Sequence, residues 1–199
     1  MTVGFTVKSG WAAAVVAEPV KGGIRIRQAR RIDLCDPDLP DSKQPYHDGF
    51  ATMRKPGATL TKLLASVRQY GRRSMGEFLD AAGGDGQIDG AGVIVGSLID
   101  PATIGNEHIR IHAMEGQLFR EVVCDAAEKR GVACTIWRER DLLAAAVTAL
   151  KQPEGTIRRL LADAGRGVEG PWRAEQKNAA LGAWLVSRGG HPATRRDRR

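Results

Sequence analysis

The stretch that most constrains this chain runs from Gly92 to Trp137. An almost uncharged apolar run, Gly92–Ile99, precedes a helical pattern and a second short apolar run, Val132–Trp137. The spacing predicts a helix from about Asn106 to Arg130, with Ile111, Met114, Leu118, Val122 and Ala126 on one face. Asn106 suits its start, because the side-chain oxygen can accept a bond from a free first-turn amide, and Gly131 ends it. Such a strand–helix–strand unit closes by a right-handed crossover, which makes its strands parallel. In α/β proteins ligands bind where strand ends meet helix starts, so the junction before the helix is a place to expect a site.

The remaining segments complete the sheet. Val3–Val7 reads as a strand, Ser9-Gly10 as a turn and Trp11–Ala17 as a second buried strand. Ile24–Leu34 starts with strand alternation, broken at Gln28, and carries Arg25, Arg27, Arg30 and Arg31. Short turns between three strands imply an antiparallel meander. A long Pro-punctuated loop follows over residues 36–57, with a short helical turn expected at Tyr46–Met53. Thr59–Ala82 has helical spacing, weakened at Gly71 and Gly76, which predicts a kink or two helices. Further helices are expected at Asp141–Leu150, Glu154–Ala164 and Ala174–Val186. The fold class is therefore α/β: a mixed five-stranded sheet, with an antiparallel β-β-β meander then βαβα units, flanked by helices.

Composition bounds the function. The 199 residues are 42% hydrophobic and 27% charged, an ordinary globular mixture. No run approaches the roughly 20 apolar residues of a bilayer span. The first residues lack the basic-then-apolar pattern of a signal peptide. Cys35, Cys124 and Cys134 are far apart, odd in number and without a C-x-x-C pair, so reduced thiols and a cytoplasmic location are expected. Residues 188–199 hold five arginines and one aspartate, a net +4 of the chain's +7. They are expected to form a basic disordered tail beyond a single domain over 1–187.

The element order resembles the ribonuclease H-like fold, in the branch of the RuvC-type Holliday junction resolvases and YqgF-like proteins, from Val3 to about Val186. The resemblance implies a first-strand aspartate, a fourth-strand glutamate and late-helix aspartates that hold two divalent metals for phosphodiester hydrolysis. This sequence departs from that pattern. Val7-Lys8-Ser9-Gly10 offers a lysine at the first slot, the fourth strand has no carboxylate until Asp100, and Asn178 best matches the late aspartate, with Glu175 one turn earlier. A lysine repels magnesium and cannot replace a carboxylate, so the usual acidic ligands are expected to be missing. Asp100, Glu115 and Glu175 are the residues for a relocated site.

Two constellations bear on chemistry. Lys8, Ser9, Ser97, Arg120, Arg138 and Arg173 are candidate phosphate ligands near one sheet edge, since the guanidinium fork binds two oxygens at once. The competing reading pairs Arg138 or Arg173 internally with the acids Glu115 and Glu175. His108, His112 and Glu115 lie at helical spacings of four and three, on one face, and form a candidate metal set. They also suit plain local hydrogen bonding. No P-loop, dinucleotide fingerprint or nucleophilic triad is legible.

The function expected first is a nucleic-acid-binding ribonuclease H-like protein without two-metal nuclease activity. An inert scaffold for a protein partner, and a metal-dependent hydrolase or nuclease using a relocated His/Glu site, are the alternatives. No cofactor is expected other than a divalent metal at that His/Glu set. No membrane partner is expected.

Overall fold

The computed structural model describes residues 1–49, 52–84 and 86–190. β1 (Thr2–Lys8), β2 (Trp11–Val20) and β3 (Gly23–Asp33) form the antiparallel meander. β4 (Gly90–Val95) and β5 (Cys134–Arg138) add in parallel on the other side of β1, giving the order β3-β2-β1-β4-β5. Helices α1 (Ala58–Gly84) and α2 (Glu107–Glu128) cover one face of this mixed sheet. α3 (Glu139–Leu150), α4 (Glu154–Ala164) and α5 (Ala174–Ser187) cover the other. Among the described residues no helix is long and apolar enough to cross a membrane.

β1 shows how the sequence sorts the two faces. Val3, Phe5 and Val7 alternate into the core beneath α1 and α2, where Phe5 meets Phe78 edge-on at 5.8 Å between ring centroids. The intervening Thr2, Gly4 and Thr6 face α5. Thr2 Oγ1 donates to the Ala183 carbonyl at 2.9 Å, and Thr6 Oγ1 donates to the Glu175 carbonyl at 2.8 Å. A Cβ on Gly4 would fall 1.8 Å from the Ala179 carbonyl oxygen, and one on Gly92 would fall 2.5 Å from the Gly182 backbone. Helix backbone thus lies directly on strand backbone, a packing only glycine permits. The contact fixes the first turns of α5, with Glu175 and Asn178, at the C-terminal end of β1.

Several boundaries differ from the sequence reading for identifiable reasons. The break at Gln28 marks a β-bulge: Val16 pairs with Gln28 and Ala17 with Ile26, which leaves Arg27 as the extra residue. α1 is one continuous helix. Gly71 and Gly76 serve contact instead of kinking, since a Cβ on Gly71 would meet Val122 at 2.5 Å and one on Gly76 would meet Arg130 at 2.6 Å. β4 stops at Val95, level with Arg138 at the end of its β5 partner, and the apolar tail Leu98-Ile99 is exposed at 44% and 56%. The short helical turn lies at Pro40–Lys43, where Pro40 presets the first residue. Within the span where it is expected, His47 and Met53 form an isolated antiparallel bridge, while residues 50 and 51 lie outside the described residues. Most of the expected basic tail, residues 191–199, lies outside the described residues.

Candidate functional site

Two strand ends and one helix start meet at a single open groove of about 320 Å³. Lys8 and Ser9 at the end of β1, Ser97 after β4, and Ile109 and His112 on α2 line it. The sequence leads one to expect Lys8, Ser97, Arg138 and Glu175 in one pocket with Glu115 nearby; the groove holds Lys8, Ser9 and Ser97, and Glu175 does not line it. Arg120, Arg138 and Arg173 do not line it. Arg138 pairs with Asp141 one turn ahead in α3, so the pairing is local, with an acid other than Glu115 or Glu175. The main-chain N–H of Arg173, at the start of α5, donates to Gln176 Oε1 at 3.0 Å. Arg120 is half-buried on α2, one turn before Cys124.

Lys8 is held by a residue that local spacing did not single out. Its Nζ lies 3.1 Å from Glu139 Oε2, while Asn178 Nδ2 donates to Glu139 Oε1 at 2.9 Å. Glu139 opens α3, where a carboxylate also meets the positive end of the helix dipole. Lys8 and Glu139 are about one-third exposed, at 33% and 37%. The result is a neutral knot joining β1, the start of α3 and α5. Glu175 contributes its backbone carbonyl to Thr6, and Asp100 caps the turn at Pro101–Thr103 by accepting from the Ala102 N–H at 2.9 Å.

The histidines gather beside this groove. Asn106 caps α2 by accepting from the Ile109 N–H at 3.0 Å, which sets His108 and His112 one turn apart with ring centroids 4.6 Å from each other. A third ring, His47, reaches them from the long loop, 4.9 Å from His112 and 6.1 Å from His108 between centroids. One ligating nitrogen on each ring lies within 4.8 Å of the other two. Arg54 secures the loop. Its Nη2 donates to the His47 carbonyl at 2.7 Å, and its Nε donates to the Pro45 carbonyl at 3.1 Å.

Glu115 sits behind the rings, fully buried at 0% exposure. His47 Nδ1 lies 2.7 Å from Glu115 Oε1, and His112 Nδ1 lies 3.9 Å from Glu115 Oε2. That second oxygen is buried without a hydrogen-bond partner among the described residues. Burial pushes the Glu115 carboxyl above its ordinary range, against the opposing pull of His47 and the Tyr46 main-chain amide. Burial, with the neighbouring rings of His47 and His108, pushes His112 below the ordinary imidazole value. The shift on His112 favours the neutral ring. Neutral imidazole is the form that binds metals.

His47 is invisible to helical spacing because it sits 68 residues from Glu115, in a loop with no periodicity to align it. One signal was available: the chain has only four histidines, so any convergence must draw on nearly all of them.

No protein-family model matches the chain, and no curated protein matches it. Among solved structures the chain is similar to Thermus thermophilus RuvC, at 11% identity and a TM-score of 0.55, over 96% of this chain and 99% of that one. It is also similar to T. thermophilus RuvC in complex with a Holliday junction substrate, at 13% identity and a TM-score of 0.54 over the same shares. At these identities the likeness speaks for architecture: this chain has the ribonuclease H-like fold of RuvC.

Proposed function

We propose that this protein binds nucleic acid on the ribonuclease H-like fold and does not cleave it by the two-metal acidic mechanism. The observation that carries this reading is the knot of Lys8, Glu139 and Asn178 at the end of β1. Hydrolysis by two magnesium ions needs several carboxylates converging on one point. Here an ammonium and an amide already engage both oxygens of the nearest carboxylate. A magnesium ion would have to displace Lys8 and then share its shell with that positive charge.

Binding has separate support. The similar RuvC structure is a complex with a Holliday junction substrate. In this chain, Arg25, Arg27, Arg30 and Arg166 line an open groove of about 810 Å³ along edge strand β3 whose lining includes a single acid, Glu169; Arg27 also lies 3.6 Å from Glu18, and Arg30 stacks over Phe78. Arginines at this spacing suit a phosphate backbone, because each guanidinium can engage two oxygens. Lys8, Ser9 and Ser97 offer a second polar contact at the sheet end.

The test is fluorescence anisotropy with branched and single-stranded DNA over a salt series, beside a nuclease assay with Mg²⁺ or Mn²⁺. Affinity should fall linearly in log–log form with salt. R25A–R27A–R30A should lower the slope by roughly one for each phosphate that is no longer neutralised. No binding at low salt, or a slope of zero, overturns the binding half. Mg²⁺-dependent cleavage by the purified protein overturns the other.

A further inference from the structure

We propose that His47, His108 and His112 form a binding site for one transition-metal ion of the Zn²⁺ class, with Glu115 as the positioning carboxylate behind the rings. This goes beyond nucleic-acid binding and stands independently of it.

Three observations converge. The ligand set is right: imidazole nitrogen suits zinc and its neighbours, whereas magnesium and calcium prefer oxygen. The spacing is right: ligating nitrogens on all three rings lie within 4.8 Å of one another. At a zinc–nitrogen distance of about 2.0–2.1 Å, tetrahedral nitrogens stand about 3.4 Å apart. Closing that gap takes small ring rotations, which the partly exposed His112 and the loop-borne His47 can make.

The support behind the rings is also right. His47 and His112 both turn Nδ1 toward Glu115, at 2.7 and 3.9 Å, which leaves Nε2 on the opposite side of each ring. A carboxylate that accepts a hydrogen bond from Nδ1–H fixes the tautomer and orientation a metal-ligating histidine needs. Glu115 Oε2 is buried and lacks a hydrogen-bond partner among the described residues. A shift of under about 1 Å by His112 would bring its Nδ1 into normal hydrogen-bond range of that oxygen. Metal binding would draw the rings together and complete the carboxylate's bonding in one movement. Ordinary packing explains neither the leftover oxygen nor three imidazoles gathered with ring centroids 4.6–6.1 Å apart. Three protein ligands leave a fourth position open, and His112 lines the groove shared with Lys8, Ser9 and Ser97. A water or an anionic oxygen could enter from there.

The experiment titrates untagged, chelator-treated full-length protein with Co²⁺ and then Zn²⁺, reading visible absorbance and calorimetry. The expected result is one equivalent of Co²⁺ with the intense visible bands of a four- or five-coordinate site, bleached by Zn²⁺ and unaffected by millimolar Mg²⁺. H47A and H112A should each weaken binding at least about 100-fold. E115Q should weaken it about 10- to 100-fold and shift the cobalt bands, which a purely structural role would not do. H191A should behave as wild type, and circular dichroism checks that every variant is folded. No stoichiometric uptake at micromolar metal, or uptake unchanged in both H47A and H112A, overturns the proposal.

Discussion

Two carboxylates flank the same groove, and the more deeply buried one is the less satisfied. Glu139, about one-third exposed, has Lys8 on one oxygen and Asn178 on the other. Glu115, fully buried, has His47 on one oxygen and, among the described residues, no hydrogen bond on the other. Desolvation argues for the reverse, since an unmet polar atom costs most where water is excluded. The first cluster is closed: every strong group has a partner, and it can hold two helices to a strand without a ligand. The second keeps bonding capacity aimed at one point, which is how a site differs from a brace.

The sharpest way to break this contrast is to remove each carboxylate. E115A strips the only acid from a buried polar cluster and leaves His47 without its partner, so it should cost about 3 kcal/mol by urea unfolding. E139A touches a pair about one-third exposed and should cost under about 1 kcal/mol. Equal costs would erase the distinction. Next in size is metal linkage. Zn²⁺ at 100 times its dissociation constant should stabilise the wild-type protein by about 2.7 kcal/mol, and H47A should lose that gain.

A rewiring sharpens the comparison from the other side. The double variant K8D–N178D would surround Glu139 with acids at the sheet end. Like-charge repulsion should lower stability by roughly 1–2 kcal/mol, and Mg²⁺ should restore it, while Mg²⁺ leaves the wild type unchanged. R54A should leave the closed cluster intact but free the loop that delivers His47, reducing Co²⁺ affinity about tenfold, or about 1.4 kcal/mol. The smallest expected effect is K8A, under about 1 kcal/mol, because Asn178 still holds Glu139.

The fold was legible wherever one element's own pattern decided the outcome. The uncharged run before Asp100 declared a central strand, and the lapse in alternation at Gln28 proved to be the bulge. Patterns failed where a distant neighbour decided. Gly71 and Gly76 suggested a bend, yet Val122 and Arg130 explain them. Leu98 and Ile99 looked like strand, but β4 stops at Val95, level with the end of its β5 partner. At the site, His108, His112 and Glu115 were legible because helical spacing put them on one face. His47 and Glu139 were not, since they reach their partners Glu115 and Lys8 across 68 and 131 residues. Spacing rules describe neighbours along an element and carry no information about which loop returns.

The bond from Thr2 to the Ala183 carbonyl joins residues 181 positions apart. Among the elements of this fold, the strand at the centre of the sheet is made before the others and the helix that shields it after them. Until that helix arrives, the Thr-Gly-Thr face of the nascent sheet has no cover, and loop-closure entropy opposes its docking throughout. Cover for this sheet therefore comes late, and a chain stopped before residue 174 would present an open sheet to chaperones and to other copies of itself.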